Sequence, residues 1–204
     1  MTSDIQNILN RLCSHELTLI AGRAGMGKTT VLNFIGQLLA INKRVLFASL
    51  EYTATKLTFR FGKTKNIIYT DKLNSIEEIE KIVSTHKIDV VLIDFIQLLN
   101  DKTILKRLKM KAAKLNVNII ATAQLRRNVD FRPPDERHPI PRDLEFALRS
   151  NPYQYANQLI FLYRHDYYNN SNDKTLDLMF YQQKSEQPKI VTIDFKALTL
   201  THLS

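Results

Sequence analysis

The run Gly22-Arg23-Ala24-Gly25-Met26-Gly27-Lys28-Thr29 matches G-x-x-x-x-G-K-[ST] at every fixed position. The chain has only five glycines, and three of them fall inside this segment. Glycines let the backbone curl with its N–H groups inward, and a helix N-terminus directly after them adds partial positive charge. The chemistry implied is phosphate binding. Lys28 is expected to reach the β- and γ-phosphates of ATP, and the Thr29 hydroxyl to ligate Mg²⁺.

A site of this kind needs further polar groups at the ends of neighbouring strands. Val90-Val91-Leu92-Ile93-Asp94 is an apolar strand ending in a carboxylate, from which Asp94 would orient Mg²⁺ beside Thr29. Hydrolysis also requires a group that orients and activates water. Glu51, following the strand Val45 to Leu50, is the best-placed candidate. Taken alone, without the rest of the constellation, it reads rather as an acid complementing a helix N-terminus. Gln124 ends the strand Val117 to Ala123, where an amide could sense the γ-phosphate and move the loop after it.

The elements that must position these groups alternate as β and α. Leu17 to Ala21 reads as a buried strand, and Thr29 to Leu39 as a helix with Val31, Leu32, Ile35, Leu38 and Leu39 on its apolar side. After the strand Val45 to Leu50, Thr53 is a candidate N-cap for a helix to about Phe61, and Asn66 to Tyr69 a third strand. Ser75-Ile76-Glu77-Glu78 marks a helix start with Ser75 as N-cap and Ile76, Ile79 and Ile82 inward. Asp89 to Asp94 has the continuous apolar interior of a parallel strand covered on both faces. Lys102 to Leu115 follows as a basic amphipathic helix. Residues 126–152, with Pro133, Pro134, Pro139 and Pro141, interrupt the pattern and read as a long polar loop. Leu159 to Tyr163, Leu176 to Tyr181 and Ile190 to Phe195 read as strands, the last two as a hairpin. The expected fold class is α/β: one domain over residues 1–204, with a mostly parallel sheet, helices on both faces and a C-terminal β-hairpin.

A formal charge of +9 suits either a polyanionic partner, most often nucleic acid, or solubility alone. Arg126, Arg127, Arg132, Arg142 and Arg149 gather in the long loop, where they read as phosphate-tracking side chains or as a solvated polar segment. Lys106, Arg107, Lys109, Lys111 and Lys114 read as the charged face of a helix. Cys13 is the single cysteine, which excludes an internal disulfide and fits a reducing cytoplasm. No apolar run approaches a membrane span, no signal peptide is apparent, and no Cys/His cluster has zinc-ligand spacing.

Taken together, these segments resemble the RecA-like P-loop NTPase core, specifically the C-terminal motor domain of hexameric replicative DNA helicases of the DnaB type. The resemblance runs through Ala21 to Thr30, Phe47-Ala48-Ser49-Leu50-Glu51, Leu92-Ile93-Asp94-Phe95-Ile96-Gln97-Leu98-Leu99, Leu115-Asn116-Val117, Ala123-Gln124-Leu125-Arg126-Arg127 and Ile160-Phe161-Leu162-Tyr163-Arg164. It implies a three-layer α/β/α domain that binds ATP through residues 22–30, Thr30 included. It also implies Glu51 as catalytic carboxylate, Asp94 as the Mg²⁺-orienting group and Gln124 as γ-phosphate sensor. The loop after Gln124 falls where the family places DNA-binding loops. Three departures accompany it. Tyr181-Gln182-Gln183-Lys184-Ser185-Glu186 replaces a glycine-flanked Lys-Gln-Arg, leaving Lys184 as the candidate for the group that acts on a neighbouring subunit's nucleotide. Lysine lacks the planar fork of arginine. Asp143-Leu144-Glu145-Phe146-Ala147-Leu148-Arg149-Ser150 stands for the family's Asp-Leu-Arg-Glu-Ser-Gly loop, and Asn157 for its usual Asp. The chain also begins almost at the core, so neither the N-terminal helicase domain nor the linker helix is expected.

The function expected from the resemblance is a DNA-dependent ATPase of helicase type. It would act on single-stranded DNA in replication or recombination, as a homo-oligomer with a hexamer as one option, alongside replication or recombination proteins. The alternative is a non-translocating relative, either a recombination or annealing ATPase or a helicase loader or regulator. A small-molecule kinase shares the phosphate motif, but should bring an arginine-rich lid and a substrate pocket.

Overall fold

The computed structural model describes residues 12, 16–73, 75–169, 174–181 and 187–198. Its centre is β1, Leu17–Gly22, buried along its whole length. Parallel strands flank it: Leu17 to Gly22 lie in register with Ile119 to Gln124 of β5 (Asn118–Gln124), and Thr18 to Ala21 with Gln158 to Phe161 of β6 (Gln158–Arg164). β2 (Val45–Ser49), β3 (Ile67–Thr70) and β4 (Val90–Asp94) extend the sheet beyond β5. The antiparallel strands β7 (Thr175–Tyr181) and β8 (Lys189–Asp194) extend it beyond β6. The order is β3-β2-β4-β5-β1-β6-β7-β8, and only the last two pairings are antiparallel.

Burial on both faces explains the apolar runs. Against one face packs α1 (Lys28–Leu39), whose Val31, Leu32 and Ile35 meet Ile20, Phe47 and Leu92, together with Leu57 of α2 (Ala54–Phe61). Against the other pack Ile76, Ile79 and Val83 of α3 (Ile76–His86), Leu105 and Leu108 of α4 (Ile104–Leu115), and Leu144 of α5 (Pro141–Leu148). This is the expected three-layer α/β/α arrangement with its C-terminal hairpin strands. Thr53 caps α2, its Oγ1 accepting from the Lys56 backbone N–H at 3.2 Å. Ser75 occupies the N-cap of α3 but makes no side-chain cap bond, so the helix start relies on Glu77 and Glu78 in its first turn. The basic face of α4 is anchored rather than free: Lys111 and Lys114 pair with Glu80 of α3, and Arg107 with Glu77 and Asp101.

Residues 126–152 differ from the long polar loop that the sequence suggests. They hold a 3₁₀ turn at Arg127–Phe131, another at Pro134–Glu136, helix α5, and a further turn at Pro152–Gln154. Proline is tolerated in a helix's first turn because the N–H it lacks has no intrahelical partner there. Pro141 occupies that place, and the Asp143 carboxylate accepts the Ile140 N–H at 2.9 Å. A short helix, α6 (His165–Asn169), and a 3₁₀ turn at Phe195–Leu198 complete the described elements. Among the described residues, no helix is long and apolar enough to cross a membrane.

Candidate functional site

The strand ends β1, β2, β4 and β5 converge on one edge of the sheet, the usual place for a ligand in an open α/β sheet. Between β1 and α1 the chain turns through Gly25 and Gly27 at φ of 80° and 86°, a region costly for any residue with a Cβ. Gly27 has a second requirement. A Cβ there would lie 2.4 Å from the Phe195 ring. Close approach and left-handed geometry thus both select glycine at the helix N-terminus.

Lys28 is almost fully buried at the start of α1, and its Nζ donates to the Arg23 carbonyl at 3.0 Å. Burial pushes its pKa down to about 8, against the opposing pull of the Asp94 and Glu51 carboxylates. The Thr29 hydroxyl donates to Asp94 Oδ2 at 2.7 Å, and the Thr122 hydroxyl to Oδ1 at 2.5 Å. Both carboxylate oxygens of a buried aspartate are therefore oriented, one of them toward the phosphate turn. A hydroxyl and a carboxylate are hard oxygen donors, and Mg²⁺ typically takes one or two protein oxygens with phosphates and waters. The donor set fits that ion.

A pocket of about 280 Å³ opens over these atoms and brings Gly25, Gly27, Lys28, Thr29 and Thr30 together with Glu51 and Gln124. Glu51 follows β2, whose end is tied to Asp94 by the Leu50 N–H donating to the Asp94 carbonyl at 2.6 Å. Burial, and after it the Glu51 carboxylate, raises the pKa of the neighbouring Tyr52 phenol. Gln124 ends β5, where the Gln97 side chain clamps it: Nε2 donates to the Gln124 carbonyl at 2.8 Å, and Oε1 accepts its N–H at 3.2 Å. This clamp is the physical content of the Asp-aromatic-x-Gln-Leu segment, to which the sequence assigns no role. Four further residues line the pocket without being marked as site residues by the sequence: Tyr52, Arg60, Arg164 and Phe195. Arg164 donates to the Gly25 carbonyl at 3.1 Å and lies 4.4 Å from the Phe195 ring centroid. Its position at the end of the Ile160-to-Arg164 segment was a usable signal; Phe195 gave none.

Arg23 and Met26 belong to the phosphate turn but turn their side chains elsewhere. Met26 is in the core. The Arg23 guanidinium is buried in a paired contact with Asp130, 2.6 Å at its shortest, and donates to the Leu125 carbonyl. Tyr168 also donates to Asp130, at 2.8 Å. Beyond this pair lies a second cleft, of about 750 Å³, whose rim carries Arg126 and Arg127. Arg142 and Arg149 are exposed on α5 and at its C-cap. Arg132 differs from the other candidate arginines, since its guanidinium forks onto the buried Asp143. Lys184 lies outside the described residues.

The family model of the DnaB-like helicase C terminal domain matches residues 2–80 and 70–202. A probable replicative DNA helicase of Trieres chinensis is 28% identical over 228 residues, covering 86% of this chain and 49% of that protein. The replicative DNA helicase DnaB of Geobacillus stearothermophilus is 25% identical over 232 residues, covering 88% and 50%. The solved structure of a DnaB-like replicative helicase and its interactions with primase superposes with a TM-score of 0.75 at 26% identity, covering 88% of this chain and 55% of that one. The chain spans about half the length of the curated relatives it matches. The match of the family model along almost the whole chain, on a sheet and phosphate turn of this geometry, establishes that this chain belongs to the DnaB-like helicase C-terminal domain family.

Proposed function

We propose that this domain binds ATP with Mg²⁺ and hydrolyses it as the motor of a DnaB-like helicase acting on single-stranded DNA, assembled as a ring of identical subunits. The observation carrying this reading is one pocket that unites the phosphate turn, the Thr29–Asp94 contact, Glu51 and Gln124. Backbone N–H groups from Ala24 to Thr29 and the N-terminus of α1 hold the phosphates, and Lys28 pairs with the β- and γ-phosphates. Thr29 and Asp94 hold Mg²⁺, which neutralises phosphate charge when bound. Glu51 accepts the proton of the attacking water as the γ-phosphorus bonds to that oxygen and releases the ADP oxygen. Gln124, fixed at the backbone by Gln97, touches the γ-phosphate and passes its presence to the turn that carries Arg126 and Arg127. Arg126, Arg127, Arg142 and Arg149 track the DNA backbone, while Lys184 is the candidate group facing a neighbouring subunit's nucleotide.

The deciding experiment measures ATP binding and turnover with and without single-stranded DNA for wild type, Lys28→Ala and Glu51→Gln. Lys28→Ala is expected to abolish nucleotide binding, and Glu51→Gln to retain binding and lose turnover. Normal hydrolysis by Glu51→Gln overturns the catalytic assignment. Absence of DNA binding at low salt, with no stimulation of turnover, overturns the DNA reading. Sizing with ATP and DNA completes the test, a hexamer with strand displacement being the expected result and a monomer, dimer or filament the contrary one.

A further inference from the structure

We propose that the 750 Å³ cleft beside the phosphate pocket seats unpaired bases of single-stranded DNA, with Phe131 as stacking platform and Arg126 and Arg127 as partners for the flanking phosphates. This rests on the DNA reading above and adds how the strand is held. Phe131 is 83% exposed, yet it belongs to a turn whose other apolar residue, Val129, is fully buried. The exposure is not fraying. Asp130, on one side, is bound by Arg23 and Tyr168, and Arg132, on the other, is bound by Asp143. Phe131 is thus held out to solvent between two anchored neighbours, so little backbone entropy is lost when a base stacks on it.

The charges point the same way. Asp130 and Asp143 are neutralised by Arg23 and Arg132, while the Arg126 and Arg127 side chains form no hydrogen bond or ion pair among the described residues. Two cations held by no ion pair among the described residues therefore flank an exposed ring on the rim of a cleft of ordinary ligand size. The pattern repeats on α5, where Arg142 lies 5.3 Å from the ring centroid of the half-exposed Phe146, next to Ala147 of the cleft wall. The Arg132–Asp143 pair ties the two elements together. Interleaved aromatics and arginines are what single strands need, because every base has a face to stack and every nucleotide a phosphate to pair. Ala24 and Gln124 line this cleft and the phosphate pocket alike, so a base in the cleft and a nucleotide in the pocket share a wall.

The test uses the full chain and fluorescence anisotropy at low salt, with a labelled 20-nucleotide oligothymidylate and an abasic strand of the same length. Phe131→Ala is expected to weaken oligothymidylate binding roughly 5- to 150-fold, the range for loss of one stacked base. Its binding of the abasic strand should stay within about twofold of wild type, because phosphate contacts there do not depend on stacking. Phe131→Tyr should bind oligothymidylate like wild type. The double variant Arg126→Ala/Arg127→Ala should weaken both ligands and flatten the salt dependence by about 1.4 in the log–log slope. Unchanged melting of Phe131→Ala serves as the check on folding, as expected for a ring so exposed. Wild-type affinity of Phe131→Ala for oligothymidylate overturns the proposal, as does equal loss for both ligands. A shift in the oligomeric state of Phe131→Ala assigns the ring to contact with a second copy and overturns it too. Failure of wild type to bind either strand removes the DNA reading itself, and the stacking site with it, so the two failures are distinguishable.

Discussion

Gly27→Ala probes the phosphate turn through two separable costs. The first is backbone strain. At φ 86° and ψ 22° an alanine pays the left-handed penalty of about 1–2 kcal/mol. The second is steric. The new Cβ would meet Phe195 Cε2 at 2.4 Å and Cζ at 2.7 Å, where ordinary contact begins at 3.4 Å. The ring must swing from its rotamer and off the Arg164 guanidinium that faces it, at about 0.5–1.5 kcal/mol. The sum is about 1.5–3.5 kcal/mol, which at roughly 2–4 °C per kcal/mol for a domain this size lowers Tm by about 3–14 °C. Urea or thermal unfolding should be read for Gly27→Ala in the wild-type and Phe195→Ala backgrounds. In the second background only the backbone cost of about 1–2 kcal/mol should remain. Equal costs in both backgrounds refute the contact with Phe195. A Gly27→Ala protein as stable as wild type refutes the backbone argument as well.

The Arg23–Asp130 pair gives a second test. Asp130→Ala leaves a guanidinium that is only 6% exposed without its carboxylate, and should cost about 3 kcal/mol in urea unfolding. Burial pushes the pKa of Asp130 up, but the hydrogen bonds from Arg23 and Tyr168 outweigh it and hold the group below the ordinary carboxylate range. The depressed folded-state pKa means that the stability it contributes is present above the unfolded value, near pH 4, and is lost as pH falls through the folded one. Asp130→Asn should flatten that acid limb, and an unchanged limb contradicts the pairing. Gln97→Ala removes both bonds that fix the Gln124 backbone, so kcat for ATP should fall about 10- to 100-fold with nucleotide affinity little changed. Loss of affinity instead would make Gln97 part of the binding surface.

What the sequence made legible is what depends on neighbours along the chain. The phosphate turn is local, as a strand, three glycines, a lysine and a threonine within a few residues, and the strand ending in Asp94 is equally local. Contacts between distant positions escaped it. Arg23 looks like a residue of the cradle until Asp130, 107 positions away, is seen to hold it. The hold of Gln97 on Gln124 joins two strand ends, and Phe195 reaches Gly27 from the far end of the chain. Helix α5 escaped for another reason. Prolines on both sides of residue 140 suggested a loop, whereas Pro141 in the first turn with Asp143 behind it starts a helix. Ser75 does occupy the cap position read from the sequence, but the residue type alone does not guarantee that its hydroxyl makes the cap bond.

The place of β1 between β5 and β6 has a consequence for how the protein is made. The first described strand to leave a ribosome is the one that must be paired on both sides. One neighbour ends at Gln124, just before Leu125, whose carbonyl accepts from Arg23 across 102 positions. The other begins after Asn157, whose side chain accepts the Leu17 N–H across 140 positions, roughly 7–28 s of synthesis at usual elongation rates. Until β5 is made the apolar segment Leu17–Gly22 has neither partner, and until β6 follows it has one at most, so the turn after it lacks the complete sheet that holds its curl. A nascent chain halted before β5 therefore offers a ribosome-associated chaperone an unpaired hydrophobic strand, and the pocket, which takes Gln124 from β5 and Arg164 from β6, comes into being late in translation although its signature is read early.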